Sequence, residues 1–327
     1  MSEVEAEHQR VVLEDISSLA WEHPADAAAL NSLRQMPGFD IAVRKVFGLI
    51  AERTLRMMAL GSSVEVSTAQ YPDINEIYED VLRTLDAPER YPLFLTQSPV
   101  VNAGAVGMEQ PFILLNSGTV RLMSEAQLRY VLGHEVGHIL SEHVLYKTML
   151  QLMVRLSRVA FTNVVSGMAY TAIMAALMEW DRKSELSSDR AGLLAVQDPD
   201  TVRAALLRSA GGVGEGASIE AFQEQARRYE EDQSSFDSIA RALALMNQHH
   251  PFPVQRLKEI DAWVDSGDYE KILAGDYHRR SDEPHTNKQK PWDVWRESAS
   301  VYAESIKNTS VRGWFRGLRS RMGGEEE

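Results

Sequence analysis

Residues 124–138 read SEAQLRYVLGHEVGH, and the organisation of the whole chain follows from this stretch outward. Ser124 with Gln127 three residues later is a capping-box signature, so a helix starts here and is predicted to run through His138. Positions i and i+4 share one face of a helix, which sets the His134 and His138 imidazoles side by side with Glu135 next to them. Two imidazoles at this spacing are a two-point clamp for a single cation. Neutral imidazole suits zinc, and a catalytic zinc takes three protein ligands while keeping one position for water. Zinc brings the pKa of such a water to about 7. Glu135 is then placed to take its proton as a general base and pass it to a leaving amine, which hydrolyses an amide without a covalent intermediate. The chain has no cysteine, so a metal can be held only by His and carboxylate side chains.

A third ligand is expected from residues 184–192, SELSSDRAG, where Glu185 and Asp189 again lie one helical turn apart. Glu185 can bind the metal. Asp189 can accept the second N–H of a ligand histidine, His134 being the expected one, which fixes its tautomer. Upstream, the period changes to that of extended chain in residues 91–95, 100–106 and 111–115, three short strands of a small sheet. A further short strand is expected at 64–67, and a helix over 72–85 with Ile74, Ile77, Val81 and Leu82 on one side. Residues 1 to about 60 read as helical, with Val11, Leu13, Ile16 and Leu19 and then Val43, Val46, Phe47, Ile50 and Leu55 at helical spacing. The fold class is therefore α+β, mostly α-helical, divided into an N-terminal helical region (1–88), a metal-binding core (89–262) and a C-terminal helical, basic tail (263–327).

With 327 residues, 44% of them hydrophobic, the chain can bury a real core. Its net charge of −13 argues against nucleic acid as a partner, since phosphate binding needs a basic face. The acidic N-terminus lacks the basic and apolar regions of a signal peptide, which places the protein in the cytoplasm. Residues 159–178 carry no charge over a length that could span a bilayer, but Thr162, Asn163, Ser166, Gly167 and Thr171 dilute them, leaving either a buried helix or membrane insertion. Between Lys307 and Arg321 basic residues accompany Trp314, Phe315 and Leu318, so 159–178 and 307–321 are the two places for peripheral membrane contact. The glycine-rich run 211–216 lacks the Lys-Ser/Thr of a phosphate loop and reads as a joint between helices. His143 is expected to point away from the metal face, and His8, His23, His278 and His285 are not assigned to it.

Taken together, Val131 to Ile139, Glu185 to Gly192, His250-Pro251 with Arg256, and Val101-Asn102-Ala103 with Ser117-Gly118 resemble the gluzincin metallopeptidases of the HtpX-like and CAAX prenyl-protease type. The resemblance covers roughly residues 90–260 and implies a zincin-like fold with a small mixed sheet upstream of the histidine helix. It implies one Zn2+ per chain on His134, His138 and Glu185, and Glu135 as catalytic base. It also implies His250 beside the metal, as oxyanion stabiliser or as a fourth ligand in a latent state. Asn102 and Ala103 would lie on the edge strand that pairs with an extended substrate backbone, and Arg256 would pair with a carboxylate. The expected activity is zinc endopeptidase action on extended or unfolded polypeptides; a latent or non-catalytic zinc protein acting as a binding module is the alternative. Membrane-embedded relatives carry several clear spans that this chain lacks, so prenylated peptides are not the expected substrate.

Overall fold

Helical and extended periods in the sequence separate into helices packed around one small sheet. The computed structural model describes residues 10–36, 39, 52–155, 167–214, 216–232 and 252–283. In chain order the elements are α1 (Pro24–Arg34), α2 (Glu52–Ser62), β1 (Val64–Glu65), α3 (Pro72–Thr84), β2 (Leu93–Thr96), β3 (Ala103–Val106), β4 (Phe112–Asn116) and α4 (Ser117–Leu122). They continue with α5 (Glu125–Leu140), α6 (Val144–Arg155), α7 (Gly167–Val196), α8 (Pro199–Ser209), α9 (Ile219–Asp232), α10 (Pro253–Asp265) and α11 (Asp268–Leu273). This is the mostly helical α+β architecture expected of a zincin-like metallopeptidase.

The sheet runs β1-β2-β4-β3. It is mixed: β2 and β4 are parallel, with Leu93 opposite Ile113, whereas β1 and β3 pair antiparallel with β2 and β4. Alternation along the strands sends Leu93, Leu95, Ile113 and Leu115 into the main core and Phe94 and Phe112 to the opposite face. There the two rings meet edge to face at 5.7 Å under Ala59 of α2. On the core side α3 contributes Ile74, Ile77, Tyr78 and Val81 and α5 contributes Leu128, Leu132 and Val136; the same cluster takes in Leu13 and Ile16 at one end of the sequence and Tyr269 and Ile272 at the other.

β3 is left as an edge strand. Asn102 O accepts from the Asn116 N–H (3.1 Å), so by antiparallel alternation residues 102, 104 and 106 turn their backbone polar groups toward β4. Ala103 and Ala105 turn theirs away from it.

Behind the sheet, α5 lies against α7 at two glycines. A Cβ built on Gly133 would stand 2.4 Å from Ala195 Cβ, and one on Gly137 2.5 Å from Ala191 Cβ, so the approach of the two helices requires glycine at both positions. Since Glu185 and Asp189 are on α7, this contact sets their distance from the histidines.

The helical reading of residues 11–20 does not hold. Residues 10–13 form no regular element, Ile16 forms a bridge with Arg279, and only Ser18–Ala20 make a short 3-10 turn. Asp15 sits in the left-handed region (φ 59°), where a continuous helix cannot pass, and the Leu13 N–H donates to Thr84 O at 3.0 Å. Leu13 and Ile16 are three residues apart because both ends of a tight turn are buried, which mimics a helical period. Val43, Val46, Phe47 and Ile50 lie outside the described residues, as do residues 159–166 and the stretch 307–321. Among the described residues no helix is long and apolar enough to cross a membrane.

Candidate metal centre

The helix that opens at Ser124 forms as its cap demands: Ser124 Oγ accepts from the Gln127 N–H (3.3 Å) and Gln127 Oε1 from the Ser124 N–H (3.0 Å). About three and four turns later its inner face carries His134 and His138, whose rings meet edge to face at 4.8 Å. From α7, Glu185 closes the triangle, with Oε1 3.1 Å from His138 Nε2 and Oε2 3.4 Å from His134 Nε2. Three ligand atoms, one from each side chain, all lie within 4.8 Å of one another, and all three residues are buried. Among the described residues this is the one His/Asp/Glu group so placed.

Each residue of the triad is held from behind. His134 Nδ1 lies 2.9 Å from Asp189 Oδ1, the contact expected from the spacing of residues 184–192. Asp189 also accepts from Tyr130 Oη (2.7 Å) and from Arg256, whose Nε is 2.7 Å from Oδ2 and whose other nitrogen meets Oδ1. Burial opposes charge on Asp189, but the Arg256 guanidinium outweighs it and holds the carboxyl at about 2. Glu185 is held by Lys147 of α6, whose Nζ lies 2.5 Å from Glu185 Oε1 and 2.9 Å from Asp181 Oδ1. His138 Nδ1 lies 2.8 Å from Ser188 Oγ and 3.1 Å from His143 Nδ1. The expectation that His143 points away from the metal face is thus corrected. Helical geometry stops at Ser141, Glu142 takes a left-handed conformation (φ 58°), and His143 is turned back against His138.

These residues fit a divalent cation. Around the triad, Glu135, Asp181, Glu185 and Asp189 are buried carboxylates, and the cations facing them are Lys147, against Asp181 and Glu185, and Arg256, against Asp189. Excess negative charge in a buried site is costly unless a positive charge is supplied. Burial would lower the pKa of His134, yet the hydrogen bonds it donates to Asp189 and Glu185 carry it to about 9, so that spot favours positive charge. His138 is the reverse: burial and the Lys147 ammonium push it well below its ordinary value, which keeps it a neutral donor.

Glu135 is buried beside the pair and is raised above the usual carboxylate range, by burial first and then by Glu185. Its Oε2 accepts the outward N–H of Ala105 at 2.8 Å, which ties the helix to the edge strand. A cavity of about 240 Å³ opens between β3, α6 and α7, lined by Asn102, Ala103, Glu135, His138, Lys147 and Glu185 among others. Asn102 and Ala103 therefore both reach the site. Asn102, however, spends its backbone on Asn116 and on Thr119, whose Oγ1 takes the Asn102 N–H and donates to the Asn102 carbonyl. His250 lies outside the described residues. Tyr130, Asp181 and Lys147 were not singled out in the sequence. The first two had a signal, standing four residues before His134 and four before Glu185 on the same helical faces; Lys147 had none.

A buried His-His-Glu triad with a second glutamate over a cleft bordered by an edge strand defines a metallopeptidase. Residues 68–264 match Peptidase family M48, and the chain belongs to that family. Over 281 residues it is 32% identical to the plastoglobule-localized metallopeptidase 48, chloroplastic, of Arabidopsis thaliana, covering 80% of this chain and 77% of that protein. It is also 30% identical over 95 residues to a protease HtpX homolog of Streptococcus uberis (28% of this chain, 32% of the relative). A protease HtpX homolog of Streptococcus pneumoniae is 27% identical over 134 residues, covering 40% of this chain and 42% of the relative. No solved structure matches the chain. As a metallopeptidase of this family it acts on polypeptides.

Proposed function

We propose that the chain is a zinc endopeptidase for extended or unfolded polypeptide segments, with one zinc ion held by His134, His138 and Glu185. The donor set of two nitrogens and one carboxylate oxygen supports zinc, which favours such a set in catalytic sites. When bound, the metal supplies Lewis acidity for water and for the scissile carbonyl. Glu135 accepts and returns the proton. Its carboxylate, whose pKa burial raises and whose orientation the Ala105 N–H fixes, is suited to a base that must also release what it takes up. This is the observation that carries the reading, because a site holding zinc only for structure has no use for a buried base.

The substrate backbone pairs with the outer edge of β3, where Ala103 turns its polar groups away from β4; Asn102 contributes its side chain to the cleft wall rather than its backbone. His250 stabilises the developing oxyanion. Its support is the resemblance of His250-Pro251, with Arg256 six positions later, to the motif of the HtpX-like peptidases. Zinc content and casein cleavage, measured for the purified protein and for Glu135→Gln, test the reading. Both proteins should carry one zinc and only the unsubstituted one should cleave; equal cleavage by the two would refute it.

A further inference from the structure

The two histidines of the triad are braced in different ways, and the second brace ends on a residue outside the segment that matches the family. His134 has a carboxylate directly on Nδ1, at 2.9 Å. His138 has an imidazole there instead: His143 Nδ1 lies 3.1 Å from His138 Nδ1, and His143 Nε2 lies 2.9 Å from Asp26 Oδ2. Asp26 is on α1, upstream of residues 68–264, and both it and His143 are 2% exposed. The carboxylate also accepts from Trp180 Nε1 (2.9 Å) and Ser187 Oγ (2.6 Å).

We propose that Asp26 and His143 are positioning residues for the metal ligand His138, so that the N-terminal helix is part of the metal centre. The inference rests on the reading of His138 as a ligand through Nε2. Counting protons leaves one consistent arrangement. A His138 that offers a bare Nε2 to a metal carries its proton on Nδ1. An ionised Asp26 needs a donor, so the His143 proton is on Nε2. His143 Nδ1 is then bare and accepts the His138 Nδ1–H. The opposite tautomer of His143 would set two N–H groups against each other at 3.1 Å, or drive the His138 proton onto the nitrogen that must bind the ion. Ser188 Oγ, at 2.8 Å from the same His138 nitrogen, tolerates either sense because a hydroxyl both donates and accepts. Asp26 therefore sets the polarity of the row.

The N-terminal segment is fixed to the centre by further bonds of the same kind. Trp21 Nε1 donates to Ser141 Oγ (3.1 Å) at the end of α5, the His23 N–H to Ser187 Oγ (2.9 Å) on α7, and Arg34 Nε to Tyr146 Oη (3.2 Å) on α6. A structural role alone would require only that Asp26 satisfy Trp180 and Ser187.

Metal affinity separates the two roles, read with Co2+ as the probe by chelator competition and by its visible absorption spectrum. Asp26→Asn keeps an oxygen for Trp180 but presents an NH2 to His143, reversing the row. It should weaken Co2+ binding by about 10–100-fold and alter the spectrum, while the metal-free protein unfolds within a few degrees of the unsubstituted one. His143→Gln can still accept from His138 and donate to Asp26, and should bind Co2+ within about threefold of the parent, whereas His143→Leu should lose as much affinity as Asp26→Asn. Unchanged affinity and spectrum in Asp26→Asn, or equal affinities in His143→Gln and His143→Leu, would overturn the positioning role. His138→Ala is the control: if it binds Co2+ as tightly as the parent, the metal centre itself is wrong, and the relay falls with it. Loss of binding in His138→Ala with none in Asp26→Asn removes the relay alone.

Discussion

Substituting Gly137 by Ala puts two opposing effects on one residue, and the structure decides the sign. In a helix interior alanine is favoured over glycine by about 1 kcal/mol, so on propensity alone Gly137→Ala stabilises the protein. The new Cβ, however, would stand 2.5 Å from Ala191 Cβ, with Ser188 Cα at 3.4 Å behind it. Two carbons rest at about 3.5–4.0 Å, so α5 and α7 must part locally by about 1 Å. Overpacking of this kind costs about 1–3 kcal/mol, which outweighs the propensity gain and leaves a net loss of about 1 kcal/mol, or about 2–4 °C in Tm for a domain of this size. Metal binding suffers more, because His138 is on α5 and Glu185 on α7, and metal–ligand distances tolerate only about 0.2 Å. Affinity for Co2+ or Zn2+ should fall at least about tenfold, about 1.4 kcal/mol. Urea or thermal unfolding of the metal-free protein and chelator competition measure the two quantities separately. Adding Ala191→Gly removes the opposing methyl and should restore the affinity, while the alanine gained in α5 and the glycine placed in α7, about 1 kcal/mol each and opposite in sign, leave the stability near that of the parent. A Gly137→Ala protein that is more stable than its parent and binds metal equally well would refute the close approach of the two helices.

Asp189→Asn leaves the Arg256 guanidinium without its anionic partner and should destabilise the protein by about 3 kcal/mol in urea unfolding, with weaker metal binding through His134. Lys147→Met leaves Asp181 and Glu185 without their shared ammonium, so the metal-free protein should lose about 3 kcal/mol, and added Zn2+ should raise its Tm by more than it raises that of the parent. Acid should expose the Asp189 pair directly. Its folded pKa of about 2 lies below the ordinary 3.8, so the folded protein binds fewer protons than the unfolded chain, and the stabilisation is present above pH 4. It is lost as pH falls through 4 toward 2, about 2 kcal/mol in all. Asp26 is lowered in the same direction, by His143 and its hydrogen bonds against the cost of burial, and adds to the same acid limb. Denaturation curves between pH 6 and pH 2 should therefore be flatter for Asp189→Asn than for the parent; equal slopes would contradict the pairing.

What the sequence made legible is what helical and strand periods can carry. Ser124 with Gln127 located the start of α5; four-residue spacing put His134 with His138 and Glu185 with Asp189; alternating apolar runs gave three strands of the sheet. Each of these is a relation between residues within a turn or two of one another. Lys147 reaches Glu185 across 38 positions, and Asp26 reaches His143 from another helix, so no local period marks either. The position of His143 escapes any helical period because α5 ends at Leu140, and the left-handed Glu142 that turns the chain back leaves no glycine or proline as a sign. The same limit explains residues 11–20, where the turn at Asp15 buries Leu13 and Ile16 three residues apart and counterfeits a helix.

The contacts behind the triad, those legible in the sequence and those hidden from it, share one chemical purpose. A short motif can name the atoms that touch a cation, but two imidazoles and a carboxylate in a buried site also need their protons and charges assigned. Here that assignment is distributed over four elements beyond the motif helix: α7 through Asp189 for His134, α10 through Arg256 for Asp189, α6 through Lys147 for Glu185, and α1 through Asp26 and His143 for His138. The four braces fix two tautomers, on different histidines, one charge and one carboxylate orientation. Single substitutions in the four should therefore be distinguishable by which property changes, and a uniform loss of stability across all of them, with metal affinity lost only in proportion, would show that they serve packing alone.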